Sequence, residues 1–343
     1  MSRPNGAQVP ADAGAVSVIM PILNEERHLR EAVAVVFDQD YPGEIELVLA
    51  LGPSTDRTDD VALALAQSDA RIICVRNPSG RTPDALNAAI AESHHDVLAR
   101  VDGHAVIPRN YLSTAVAVLR RTGADNVGGI MDAHGITAFE QAVAAAMRSR
   151  LGVGNSRFHT GGKEGPAETV YLGVFRRSAL ERVGGYDRHF ARAQDWELNH
   201  RIRETGGLVW FTPDLTVSYR PRGSLAALAR QYFGYGRWRR VVAHRHGTIS
   251  ARYLAPPTLV AGLCVALLVA PWWPWSLLVP AGYALAIVVG GIVVGTGLGW
   301  RARLRVPLAL GTMHLNWGVG FLTSPPHLKR QGQTVAKSHE AAG

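Results

Sequence analysis

Two residues apart in the stretch ARVDGHAVIP (residues 99–108) stand Asp102 and His104, a hard carboxylate and a softer imidazole. Both are ligand types for a divalent cation, and a cation at the open end of a strand can clamp a phosphate-bearing ligand. The Asp-Gly pair also fits an ordinary turn, because both residues favour turn conformations. Asn24, Asp56 and Asn87 have a comparable setting: each is read as falling just beyond the carboxyl end of an apolar run.

The elements that must carry these residues can be read from periodicity. AVSVIMPI (15–22), IELVLAL (45–51), RIICVRN (71–77) and DVLARVD (96–102) are apolar, β-branched runs of strand length. Between them NEERHLREAVAVVFDQD, TDRTDDVALALAQSDA and TPDALNAAIAES have helical spacing, the last with Thr82 as candidate N-cap and Pro83 at the first helical position. A further helix is expected to start near Pro108. This alternation predicts an α/β fold with a doubly wound sheet, whose ligands gather at the carboxyl ends of its strands. Further on, GGKEGP (161–166) reads as a loop, and AETVYLGVFRRSAL (167–180) as strand then helix. LVWFTPDLTVSYRPRG (208–223) reads as two short strands.

The second half of the chain changes character. Charged residues make up only 19% of the 343, and none lies between positions 253 and 300. That span has room for two membrane-crossing helices of about 20 residues each. APWWPWS (270–276) supplies a Pro- and Trp-rich turn between them. A third apolar segment, VPLALGTMHLNWGVGFLTS (306–324), contains His314 and Asn316 and either crosses the bilayer or lies in its interface. Residues 215–343 carry fourteen Lys or Arg against one acid, Glu340. Beside apolar spans this basicity points to anionic lipid headgroups and a cytoplasmic orientation rather than nucleic acid. SLAALARQYFGYGRWRRVVAHRHG (224–247) reads as a basic amphipathic helix at the membrane surface. The N-terminus lacks the apolar core of a signal peptide, so the first domain is expected to stay in the cytoplasm. Cys74 and Cys264 offer neither a disulfide framework nor zinc spacing. The expected organisation is a disordered stretch over 1–14, a domain over 15–225, the interfacial helix over 226–250, membrane helices over 251–324 and a flexible tail over 325–343. Spans without internal charge offer no polar pathway and disfavour a transporter.

Four motifs resemble those of glycosyltransferase family 2, inverting enzymes with a GT-A fold, and among them the bacterial succinoglycan-type polysaccharide glycosyltransferases. MPILNEE (20–26) is similar to the family's P-x-x-N-E strand end, which implies that Pro21, Asn24 and Glu25 line the nucleotide; Asn24 would equally serve as a helix cap. LGPSTDRT (51–58) resembles D-x-G-S-x-D-x-T, retaining Ser54 and Asp56 but placing Leu51 where the pattern has a base-contacting Asp. VDGH stands where the family carries D-x-D, which implies that Asp102 and His104 hold a divalent cation against the donor diphosphate. Imidazole in place of the second acid favours Mn²⁺ over Mg²⁺. RAQDWELNHR (192–201) resembles the E-D motif, with Gln194 for the Glu and Asp195 retained as the implied general base; capping of the helix after it is the plainer alternative. Gly185, Tyr186 and Asp187 resemble the family's acceptor-side turn, with Gln194 and Trp196 beside it. QYFGYGRW (231–238) is similar to the Q-x-x-R-W of processive members but longer in its spacing. Arg237 there could hold the diphosphate or meet lipid.

The resemblance implies a membrane-anchored inverting glycosyltransferase that takes a nucleotide-diphospho-sugar to a lipid-linked or polysaccharide acceptor in envelope or exopolysaccharide synthesis. Transfer to polyprenyl phosphate, and a non-catalytic nucleotide-sugar-binding subunit, are the alternatives.

Overall fold

The computed structural model describes residues 14–247, 250–325 and Leu328. The N-terminal stretch up to residue 13 and the basic tail with Lys329, Arg330 and Lys337 lie outside the described residues. The chain divides into two compact units, one of residues 1–131 and 161–218, the other of 132–160 and 219–343. The division departs from the expected one in giving residues 132–160 to the second unit.

The first unit begins with the predicted alternation: β1 (Val16–Ile22), α1 (Leu29–Phe37), β2 (Ile45–Leu51), α2 (Thr58–Ser68), β3 (Ile72–Arg76), α3 (Thr82–Glu92), β4 (Val97–Arg100), α4 (Tyr111–Thr122) and β5 (Asn126–Ala133). β1 pairs in parallel with β2 and β4, and β2 with β3. Every residue of β2 is buried, as a strand covered on both faces requires. Successive residues of β1 serve opposite layers: Val18 and Met20 enter one core cluster, Ile19 the other.

After α5 (Ala138–Met147), α6 (Arg150–Val153) and α7 (Arg157–Thr160), which belong to the second unit, the chain returns through β6 (Gly165–Pro166), β7 (Tyr171–Arg176), α8 (Arg177–Val183), α9 (Gln194–Glu204) and β8 (Val209–Tyr219). β7 runs antiparallel to β4 and β5, giving a mixed eight-stranded sheet of order β3-β2-β1-β4-β7-β5-β8-β6. Three expectations shift locally. Arg81, not Thr82, caps α3, without a side-chain bond, and Pro83 is its second residue. α4 starts at Tyr111, whose N–H donates to the Pro108 carbonyl. Residues 209–219 form one strand, not two: β6 pairs only at Trp210 and Phe211, and Pro213 is tolerated along the edge beyond them.

The second unit is helical. A capping box between Thr137 and Glu140 starts α5, and Glu140 also accepts from Arg220 Nε at 3.0 Å. α10 (Leu225–His246) carries the basic segment, followed by α11 (Ala255–Val269), α12 (Leu278–Val294), α13 (Trp300–Arg303) and α14 (Val306–Thr323). α14 packs against α5, α10, α11 and α12. Glycines permit its close crossings: a Cβ on Gly236 of α10 would stand 2.0 Å from the Trp317 carbonyl oxygen, and one on Gly320 2.2 Å from that of Phe233. Two helical stretches, Ala251–Val269 and Pro274–Val294, are long and apolar enough to cross a membrane. α14, with His314 and Asn316 in its middle, is not among them. Trp272 and Trp273 between those stretches and Trp275 at the start of the second stand exposed.

Candidate active site

The carboxyl end of the parallel strands is built by loops that bond to one another. Asn24, just past β1, adopts a left-handed φ of 56°, which asparagine tolerates. Its N–H donates to Ser54 Oγ at 3.0 Å, and its Oδ1 accepts from the Thr55 N–H at 2.8 Å. The Glu25 N–H donates to Thr58 Oγ1 at 2.8 Å and the Glu26 N–H to Asp56 Oδ2 at 3.3 Å. Asp56 also accepts from the Thr58 N–H, so its carboxyl lies below the usual value, chiefly through its bond to the Thr58 hydroxyl. Asn24, Ser54 and Asp56 thus join the β1 and β2 loops, a local use of polar side chains that sequence spacing alone does not separate from ligand contact. Asn24 caps no helix, since α1 begins only at Leu29. Pro21 lies within β1 opposite Ala50. Leu51, 4% exposed, is a core residue and offers no polar group.

After β4 the chain turns, the Ala105 N–H donating to the Asp102 carbonyl at 2.8 Å. Asp102 and His104 therefore stand on a turn as well as at a strand end. Glu25 Oε1 lies 2.8 Å from His104 Nδ1, which places Glu25 beside the imidazole. Gly103 permits that approach: a Cβ there would meet Ile22 Cδ1 at 2.7 Å and Glu25 Cγ at 3.3 Å.

Arg100, the last residue of β4, is 5% exposed. Its Nε donates to Asp102 Oδ1 at 3.0 Å and its Nη1 to Asp195 Oδ1, while Nη2 lies 3.0 Å from the same Asp102 oxygen as an ion pair. One guanidinium thus brings together two carboxylates from distant parts of the chain. Burial works against its charge, and the two acids hold it firmly protonated. Asp195 is the second residue of α9 rather than its cap, which is Ala193 in a left-handed conformation with φ 60°. The Asp195 side chain keeps 38% of its surface in solvent yet is closely surrounded. Desolvation raises its pKa, Arg100 opposes the rise, and the Asp102 charge adds to it.

Asp102 Oδ2 makes no protein bond among the described residues, and His104 is open to solvent on the same turn. No group of three or more His, Cys, Asp or Glu among the described residues forms a metal cage. This donor set fits a cation that takes most of its ligands from diphosphate oxygens and water.

Some of the remaining candidates are placed differently from expectation. Asn87 lies within α3, not beyond a strand, and both ends of its amide are engaged: Nδ2 donates to the Tyr186 carbonyl and Oδ1 accepts the Tyr186 N–H, each at 2.8 Å. It holds the turn of Gly184 and Gly185, whose φ values are 71° and 70°. Tyr186 is 2% exposed, its hydroxyl pushed up by burial and set beside Arg100, so it backs the ion cluster and presents no acceptor surface. Asp187 accepts from the His189 N–H at 2.8 Å. Gln194 opens α9. Trp196 is 7% exposed and stacks on His200 with ring centroids 5.2 Å apart, a packed rather than an open platform. Glu197, in the first turn of α9, is 1% exposed and pairs with Arg201 through two bonds of 2.7 Å. Arg237 belongs to the second unit, its guanidinium 5.7 Å from the Phe233 ring centroid. Arg100 escaped the sequence reading. Its signal was a charge inside an apolar strand covered on both faces, which must find counter-charge.

A family model described as glycosyl transferase family 2 matches residues 17–184. The succinoglycan biosynthesis protein ExoA of Rhizobium meliloti is 33% identical over 307 residues, covering 89% of this chain and 93% of its own. A dolichyl N-acetyl-α-D-glucosaminyl phosphate 3-β-D-2,3-diacetamido-2,3-dideoxy-β-D-glucuronosyltransferase of Methanococcus voltae is 26% identical over 231 residues, covering 64% and 71%. Among solved structures, the mannosyltransferase PcManGT of Pyrobaculum calidifontis, in complex with GDP-Man and Mn²⁺, aligns with a TM-score of 0.57 at 21% identity over 90% of this chain and 87% of that one.

Proposed function

Because this chain belongs to glycosyl transferase family 2 and has the GT-A fold, we propose that it is a membrane-anchored inverting glycosyltransferase of polysaccharide or glycolipid synthesis. The donor is a nucleotide-diphospho-sugar bound at the carboxyl edge of β1, β2 and β4. Asp102, with His104 on the same turn, would hold a divalent cation, which would supply positive charge beside the donor diphosphate. The imidazole favours Mn²⁺ over Mg²⁺. Asp195 takes the proton of the acceptor hydroxyl, which attacks the anomeric carbon opposite the departing phosphate in one displacement, inverting its configuration. Pro21 and the joined β1 and β2 loops form the floor under the nucleotide. Arg237 is reserved for lipid phosphate.

The observation that carries this reading is the convergence of Asp102 and Asp195 on one buried guanidinium, which supports giving cation binding to one carboxylate and proton acceptance to the other. The acceptor is proposed to be lipid-linked. The archaeal relative's name specifies a dolichyl-phosphate-linked sugar, and the apolar stretches Ala251–Val269 and Pro274–Val294 would hold the enzyme where such a substrate is confined. The catalytic unit and the basic helix α10 are assigned to the cytoplasmic face of the inner membrane.

The test is direct. Membranes containing the protein are incubated with labelled UDP- and GDP-sugars and Mn²⁺, and the lipid extract is examined for labelled product. Transfer that stops in excess chelator and inverts the anomeric configuration supports the reading. Retained configuration, or undiminished activity in chelator, overturns it. Asp195→Asn that still transfers to polyprenyl phosphate would move the assignment to an acceptor already ionised.

A further inference from the structure

β4 is a short apolar strand that ends in a buried arginine. A guanidinium does not shed its proton inside a protein, so Arg100 can be buried only where acids meet it. It meets two. Asp102 is the near one, two residues further along the chain. Asp195, 95 residues away in sequence, comes from the first turn of α9. The fork is divided between them, two nitrogens on Asp102 Oδ1 and one on Asp195 Oδ1. The buried rings of Tyr111 and Tyr186 enclose the cluster, and both hydroxyls lie in the electrostatic reach of Arg100.

We propose that Arg100 is a positioning residue: its guanidinium fixes the proton-accepting carboxylate of Asp195 at a set separation from the donor-side carboxylate of Asp102, and serves as the resident cation that lets the two like charges stand together. The inference rests on the function proposed above. Its physical content is twofold. A planar fork sets direction as well as charge, so one ammonium cannot replace it. And once the guanidinium is gone, two uncompensated and partly solvent-exposed carboxylates stand side by side, where a mobile divalent cation is drawn to take its place. A role confined to stitching β4 to α9 predicts neither effect.

The test uses the full-length protein in detergent as wild type, Arg100→Met, Arg100→Lys, Asp195→Asn and the Arg100→Met/Asp195→Asn double variant. Melting temperature reports folding. Electron paramagnetic resonance reports Mn²⁺ binding with and without UDP or GDP. Steady-state transfer reports kcat and KM with the donor found in the panel above. Arg100→Met is expected to lose about 100-fold or more in kcat, the scale of a displaced general base, while donor KM moves less than about threefold. Without nucleotide it is expected to bind Mn²⁺ about tenfold more tightly than wild type, since a repelling cation has been removed. The double variant is expected to be no slower than Asp195→Asn by more than about threefold, because nothing remains to be positioned. Arg100→Lys should fold like wild type yet recover less than about a tenth of the rate. If Arg100→Met fails to fold, Arg100→Lys carries the kinetic comparison.

Losses that multiply in the double variant, or Mn²⁺ binding that is unchanged or weaker in Arg100→Met, overturn the inference. An inactive Asp195→Asn beside a fully active Arg100→Met removes Arg100 alone. An active Asp195→Asn removes the base assignment instead, and there the Mn²⁺ measurement still judges the resident cation.

Discussion

At the residue scale the central question is how a carboxylate close to another carboxylate remains ionised. Desolvation and Asp102 push the Asp195 pKa up, and Arg100 restrains it. A general base works only when deprotonated, so activity falls as pH drops through that raised value. The acid limb of a kcat–pH profile is therefore expected to lie above the range of an ordinary aspartate; a limb at or below it would contradict the environment described. Asp195→Asn should cost about 100-fold or more in kcat with a hydroxyl acceptor, measured with folding verified by circular dichroism. Asp102 could be singled out from residue type and its place at a strand end, and Asp195 through the resemblance of RAQDWELNHR to the family's E-D motif. Arg100 could not, because in DVLARVD it reads as one more strand residue until the sheet is known to be covered on both faces. Asn24, Ser54 and Asp56 illustrate the opposite difficulty. They have the types that contact ligands, but short polar side chains beside neighbouring loops bond those loops first, and only the folded geometry reveals which partner is nearer.

At the scale of elements, the placement of α9 decides where Asp195 points. Ala193, before its first residue, has φ 60°, an arrangement costly for a residue with a Cβ. Ala193→Gly is expected to leave transfer intact and hold or raise the melting temperature, by up to about 1 kcal/mol of relieved strain offset by a more flexible unfolded chain. A drop of several degrees would show that the alanine methyl packs usefully there. Asn87→Ala should release the Gly184–Gly185 turn while leaving α3 formed; the expected signature is local proteolytic sensitivity and a cost of about 1–3 kcal/mol from two unpaired backbone groups. The strands and helices from β1 to β4 were legible because period and turn residues agree at each step. β8 was not, because proline inside an apolar run normally marks a break, and only the shortness of β6 explains why the strand continues.

At the scale of the whole molecule, composition already separated an acidic first half from a basic, apolar second half. The residues that join the second unit from positions 132–160 carried no such mark, since α5 is a short alanine-rich helix, buried along Ala142–Met147, that packs against α14, α13 and α12. The apolar surface left bare on α11 and α12, with Leu268 70% and Leu285 65% exposed, is too continuous for water. The full chain is therefore expected to sediment with membranes, to resist high salt and alkaline carbonate, and to be released by detergent; release by salt alone would leave only surface attachment.

The tryptophan turn at Trp272, Trp273 and Trp275 has an electrical consequence. A voltage does work only on charge that it moves, and residues 253–300 contain none. A hairpin of these two helices would carry no ionised group to the far leaflet and would return Arg301, Arg303 and Arg305 to the side from which it set out. Its insertion is then indifferent to membrane polarisation, and a protonophore that abolishes the potential should leave the yield of integrated protein unchanged.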